Sequence, residues 1–66
     1  MNMEVIGNNA GLIWNALNES KSMNFKDLKK ATKLKEKEVY CALGWLGREG
    51  KISIAEEEKD LVITLL

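Results

Sequence analysis

Apolar residues recur near the start of the chain at intervals of four, three and four positions: Ile6, Ala10, Ile13 and Leu17. This spacing lines one face of an α-helix, which we predict from Glu4 to Glu19. A second apolar stripe on the same helix, formed by Val5, Leu12 and Ala16, has no evident partner inside so short a chain. We therefore expect the second stripe to contact another subunit.

Two further helices are predicted after a polar break at residues 19–22. The segment Ser22–Asn24 indicates a short strand, and the Asn24 side chain is suited to cap a second helix, predicted from Lys26 to Thr32. A tight connection at residues 33–35 leads to a third helix, Glu36 to Glu49, which Gly50 ends as a left-handed cap. The buried stripe of the third helix is apolar: Val39, Ala42, Leu43 and Leu46.

The remaining residues have the pattern of a β-hairpin. Residues 51–55 and 60–65 are rich in β-branched side chains, and the acidic segment 56–59 separates them. Alternation places Ile52 and Ile54 on one face of the first strand. On the second strand it places Leu61, Ile63 and Leu65 on one face.

Reactive residue types are scarce. The 66 residues include one cysteine, Cys41, and no histidine, so neither a disulfide nor a zinc site nor a catalytic Cys-His pair is expected. No nucleotide-binding loop or nucleophile motif is present. We predict a protein that is not an enzyme and has no catalytic residue, metal, cofactor or evident small-molecule ligand. Cys41 is expected to be a small, mostly buried packing residue.

Length and hydropathy bear on stability and location. A chain this short buries only about 60% of its unfolded surface, so oligomerisation is an expected aid to stability. No apolar run approaches the ~18 to 20 residues of a membrane span, and the N-terminus lacks the basic region of a secretory signal. A single unpaired thiol suits a reducing compartment. We predict a cytoplasmic location and no membrane partner.

Three helices followed by a hairpin, with a short turn between the second and third helices, indicate an α+β fold, the winged helix-turn-helix, as one domain over residues 1–66. This fold assignment becomes specific in the segments FKDLKKATKL (25–34) and VYCALGWLGREGKI (39–52). They resemble a family of very small, stand-alone bacterial winged helix-turn-helix proteins, defined by their fold rather than by an assigned role. The resemblance implies the fold, a homodimer and binding to duplex DNA.

The sequence departs from the wider winged-helix pattern in the turn and in the wing. Lys33 stands where a glycine often makes the turn, and Lys35 stands where a serine or threonine often caps the third helix. Glu38 supplies only half of a capping box. The acidic tip at residues 56–60 would be repelled by phosphates, and its simpler interpretation is a charged tip that resists edge-to-edge association.

The charge distribution favours DNA binding in one region. The net charge is zero, but residues 21–51 contain nine basic and four acidic side chains. The third helix would enter the major groove, with basic residues on the phosphates. The predicted DNA contacts are Lys29, Lys30, Lys33, Lys35, Lys37, Tyr40 and Arg48.

Two alternatives to these contacts stay open. The lysines could form an ordinary solvated face, and Tyr40 could pack against the hairpin. The exposed stripe of the third helix is also poor in the Arg, Asn, Gln, Ser and Thr side chains that read bases.

The second hypothesis is a protein-interaction or assembly module that keeps the fold without binding DNA. Neutral net charge, an acidic wing and few base-reading side chains motivate it. Trp14 and Trp45 could complete the core or anchor an interface, and Trp14 suits the interface better because it shares a side of its helix with Gly7 and Gly11. The predicted homodimer contacts are Val5, Leu12, Trp14, Ala16, Leu65 and Leu66.

Overall fold

The computed structural model describes the whole chain, from Met1 to Leu66. Its elements are, in chain order, α1 (Met3–Ser20), β1 (Ser22–Asn24), α2 (Phe25–Thr32), α3 (Glu36–Arg48), β2 (Ile52–Glu56) and β3 (Leu61–Leu65). Each predicted helix and strand is present, with ends that differ by at most one residue. The α+β winged helix-turn-helix prediction is therefore confirmed.

The three strands form one antiparallel sheet in the order β1-β3-β2. Ile63 of the central strand lies between Met23 of β1 and Ile54 of β2. The face that carries these residues packs on the helices, so Ile52 and Ile63 are buried. Ile54 points to the same side, but it lies nearer the hairpin tip and remains 47% exposed.

The core gathers one apolar face from each helix and from the sheet: Ala10, Ile13, Leu17, Phe25, Leu28, Val39, Ala42, Leu43, Leu46, Ile52 and Ile63. Trp45 packs at its edge against α1. A Cβ atom on Gly7 would lie 3.4 Å from Cζ2 of Trp45, so the missing side chain lets this ring lie close to the α1 backbone. Gly11 has no atom within 4 Å of the equivalent position, so the structure gives no such reason for it.

Asparagine side chains cap the first turns of α1 and α2, and a left-handed glycine follows the end of α3. The side-chain oxygen of Asn2 accepts a hydrogen bond from the amide of Val5 at 2.9 Å, and that of Asn24 accepts one from the amide of Asp27 at 2.8 Å. Gly50 has a φ of 73°, the left-handed conformation predicted for it. Asn9 is the exception to good polar pairing, because it is buried in α1 and its Nδ2 has no hydrogen-bond partner.

Candidate nucleic-acid interface

The turn between α2 and α3 is built from local hydrogen bonds and one left-handed residue. The Thr32 hydroxyl donates to the carbonyl of Leu28 at 2.8 Å, which closes the last turn of α2. Lys33 then takes a φ of 60°, a conformation that glycine adopts more easily. The unusual lysine at this position therefore carries some backbone strain. Leu34 is partly buried and packs against the core, as expected of an apolar residue between two helices.

Five lysines surround this turn: Lys29, Lys30, Lys33, Lys35 and Lys37. All are exposed except Lys29, which is partly buried. The one ion pair in the protein joins Lys51 to Glu49 at 3.5 Å and lies at the other end of α3. None of the five lysine charges is therefore paired within the chain.

The start of α3 has open backbone donors. The amide of Lys35 donates to Oε1 of Glu38 at 2.8 Å, and no side chain caps the helix from the Lys35 position. This is the half capping box predicted from the sequence. The amides of the first turn carry the positive end of the helix dipole, but Glu36 and Glu38 lie in the same turn and offset part of the field.

One stripe of α3 faces away from the core and contains Lys37, Cys41, Gly44 and Arg48, all exposed. The expectation of a mostly buried Cys41 is wrong. Its position in the helix, four residues after Lys37, places it on the outer face, although free cysteines are often buried in proteins. The stripe offers two cationic side chains and few hydrogen-bonding groups of other kinds.

Tyr40 lies beside this stripe and is 50% exposed. Its ring stacks on buried Phe25, with the ring centroids 4.6 Å apart and the planes at 24°. It also lines a shallow depression with the wing tip, residues 56–61. The ring therefore packs on α2 rather than mainly on the hairpin, and half of the side chain stays exposed beside the wing tip.

The wing tip is acidic and exposed at Glu56, Glu57 and Glu58. Asp60 differs from them because its carboxylate accepts hydrogen bonds from the amide of Lys26 at 3.1 Å and from its neighbour Leu61 at 2.8 Å. It thus ties the base of the wing to the first turn of α2. Sequence reasoning missed this role, and no local pattern could have indicated a contact between residues so far apart in the chain.

The six residues predicted for a dimer contact do not form one patch. Leu12 and Ala16 line a groove between α1 and α2, whereas Trp14 lines a groove between α1 and α3 together with Gly7, Gly11 and Trp45. Val5 is partly buried on α1, Leu65 is partly buried in β3, and Leu66 is exposed at the C-terminal end of the sheet. Trp14 is 37% exposed, and Trp45 is the more buried of the two tryptophans.

No group of three or more His, Cys, Asp and Glu side chains is arranged to hold a metal ion. None of the helices combines the length and apolar character that a membrane crossing requires.

Comparisons with known proteins agree with the fold. The solution NMR structure of protein BT2368 from Bacteroides thetaiotaomicron is similar, with a TM-score of 0.86 and 32% sequence identity over 98% of this chain and 79% of that one. No match is found among curated proteins. The model of the family described as winged helix-turn-helix domain (DUF2582) matches residues 1–65. The chain therefore belongs to the DUF2582 winged helix-turn-helix family.

Proposed function

We propose that this protein binds duplex DNA through the α2–α3 turn, as a homodimer in the bacterial cytoplasm and without enzymatic activity. The observation that carries the proposal is the cluster of lysines around that turn, whose charges have no partner within the chain. In a helix-turn-helix, the second helix of the motif, here α3, lies in the major groove, and the helix before it, here α2, crosses the DNA backbone. The lysine cluster lies on this part of the fold.

Electrostatics would supply most of the affinity. Each lysine that neutralises a phosphate releases counterions from the DNA, and this gain does not depend on sequence. Acidic residues in the rest of the chain balance the positive charge of the lysine cluster, since the net charge is zero. The protein is therefore expected to bind in one orientation, with the lysine cluster toward the DNA and the acidic wing tip away from it.

Base recognition should be modest. Among the outward residues of α3, Arg48 can make paired hydrogen bonds to guanine, but it lies in the last turn of the helix. Gly44 offers no side chain, and Lys37 and Tyr40 can serve phosphates as well as bases. These residues favour binding dominated by phosphate contacts over recognition of a long specific sequence.

A salt titration tests the proposal. Fluorescence anisotropy of a labelled duplex should report binding at low salt, with log affinity falling against log salt at a slope of about −4 to −5 if all five lysines contact phosphates. The double variant Lys35→Gln/Lys37→Gln should reduce the slope by about 2. Lys59→Gln, at the wing tip, is the matched control and should leave the slope unchanged. Absence of binding at low salt would overturn the proposal.

The second candidate is a protein-interaction module, which the groove between α1 and α3 favours. Two tryptophans line this groove, and aromatic residues of this kind frequently anchor interfaces. A folded wild-type protein that binds no duplex at low salt would favour this candidate. The substitution Trp14→Ser should then reduce binding of a partner without reducing the helix content measured by circular dichroism.

A further inference from the structure

The strand β2 lies at an open edge of the sheet. The sheet order β1-β3-β2 leaves one side of β2 without a neighbour, and its residues from Ser53 to Glu56 are exposed. Proteins commonly protect such an edge with charged side chains, lysine above all, with proline or with a bulge. The segment Ile52–Glu56 contains no lysine and no proline, its one charged residue is Glu56 at the tip end, and its pairing with β3 continues without interruption.

Hydrogen bonds at the two ends of the hairpin identify the backbone groups that face this edge. The amide of Leu66 donates to the carbonyl of Lys51 at 2.9 Å, and the amide of Glu57 donates to the carbonyl of Asp60 at 2.8 Å. Bonded pairs alternate along an antiparallel ladder, so the odd-numbered residues of β2 bond to β3. The amides and carbonyls of Ile52, Ile54 and Glu56 therefore point outward.

We propose that two copies of this chain pair through β2, antiparallel and about a two-fold axis at Ile54, to form one continuous sheet. In this register Ile54 lies opposite Ile54 of the second copy, and Ile52 lies opposite its Glu56. All the outward-facing residues of both strands then pair, which gives about six new backbone hydrogen bonds. This inference rests on the homodimer of the proposed function, and it identifies β2 as the surface through which the two copies associate.

The positions of like and unlike charges favour this register. It places Lys51 opposite Glu57 of the second copy, at both ends of the paired strands, and it holds the two acidic tips apart. A parallel pairing would bring residues 56–58 of both copies side by side, and a shift of two residues toward the tip would place Lys51 opposite Lys59. Like charges across strands destabilise pairing, so both alternatives are disfavoured. The acidic tip therefore disfavours the parallel arrangement and the register shifted toward the tip, whereas the antiparallel register about Ile54 keeps unlike charges opposite each other.

Sedimentation velocity over a concentration series tests the pairing. A single pair of five-residue strands makes a small interface, and interfaces below ~1,200 Å² in total are typical of weak complexes. Wild type should therefore show a reversible dimer at high concentration. Ile54→Lys places two lysines opposite each other and should weaken association by about tenfold or more. Leu12→Lys, an equally exposed apolar position on α1, tests the competing surface that the apolar stripe of α1 predicts as a dimer contact, and it should leave association unchanged. A wild type that stays monomeric, or a dimer that resists Ile54→Lys and is lost in Leu12→Lys, overturns the inference.

Exchanging the charges of Lys51 and Glu57 distinguishes a loss of strand pairing from a general disturbance of the fold. Lys51→Glu and Glu57→Lys should each weaken the dimer about threefold or more, and the double variant should restore it. Absence of this restoration contradicts the register.

NMR provides a second readout on wild type, in which the amides of Ile52, Ile54 and Glu56 should exchange more slowly as concentration rises, while those of Ser53 and Ala55 stay constant. Salt-dependent DNA binding is measured separately, so a dimer with this behaviour that binds no DNA supports the pairing and overturns the DNA proposal.

Discussion

Two glycines test the structure sharply. Replacement of either one by alanine adds the same methyl group, but the two substitutions should change the stability of the fold in opposite directions. Gly44 lies inside α3, and a Cβ atom built there meets no atom within 4 Å. Replacement by alanine removes the entropic cost of glycine in a helix, about 0.8 to 1.0 kcal/mol. Gly50 also has open space, but its φ of 73° is left-handed and strains any residue with a Cβ. Alanine there should cost about 1 to 2 kcal/mol.

Thermal unfolding followed by circular dichroism measures both effects. In a domain of this size, 1 kcal/mol corresponds to roughly 4 to 8 °C in Tm. Gly44→Ala should therefore raise the Tm by several degrees, and Gly50→Ala should lower it by a similar or larger amount. Shifts of the same sign in the two variants would refute the reasoning, since the surroundings of the two sites differ in backbone conformation and not in available space.

Three further predictions follow from the structure. Asn9→Leu removes the unpartnered Nδ2 from the interior and should raise the free energy of unfolding by about 1 kcal/mol, measured with urea; a decrease would indicate a hidden partner for this amide. Lys33→Gly should relieve the left-handed strain and raise the Tm, while it reduces the slope of log DNA affinity against log salt by about 1; an unchanged slope would remove this lysine from the DNA contact. Asp60→Ala should cost about 1 kcal/mol more than Asp60→Asn, which keeps an acceptor for the Lys26 amide, and equal losses would argue against this contact.

Local signals in the sequence predicted most of the fold. Asn24 caps α2 and Gly50 ends the α3 segment because capping and left-handed geometry depend on a few neighbouring residues. The apolar spacing of α1 likewise identified its buried face, since Ile13 and Leu17 are fully buried. Helix phase also predicts the exposure of charged residues, and four of the five lysines around the α2–α3 turn are exposed.

The candidate surfaces were harder to predict because they depend on contacts between distant residues. The stacking of Tyr40 on Phe25 and the bond from the Lys26 amide to Asp60 join different elements, and no local pattern encodes them. The sequence predicts Trp14 and Leu12 in one interface, whereas residues two positions apart lie about 200° apart around a helix. The general tendency of cysteine to be buried led to the wrong expectation for Cys41, where helix phase was the better guide.

NMR chemical-shift mapping with a short duplex tests the central claim most directly. Amide signals of the protein would be followed as duplex is added at low salt. We predict that the largest changes occur at Lys30, Lys33, Lys35, Lys37 and Gly44, and that the wing-tip amides of residues 56–59 change little. Changes centred on the wing tip or on the Trp14 groove, or no changes at all, would contradict DNA binding through the α2–α3 turn.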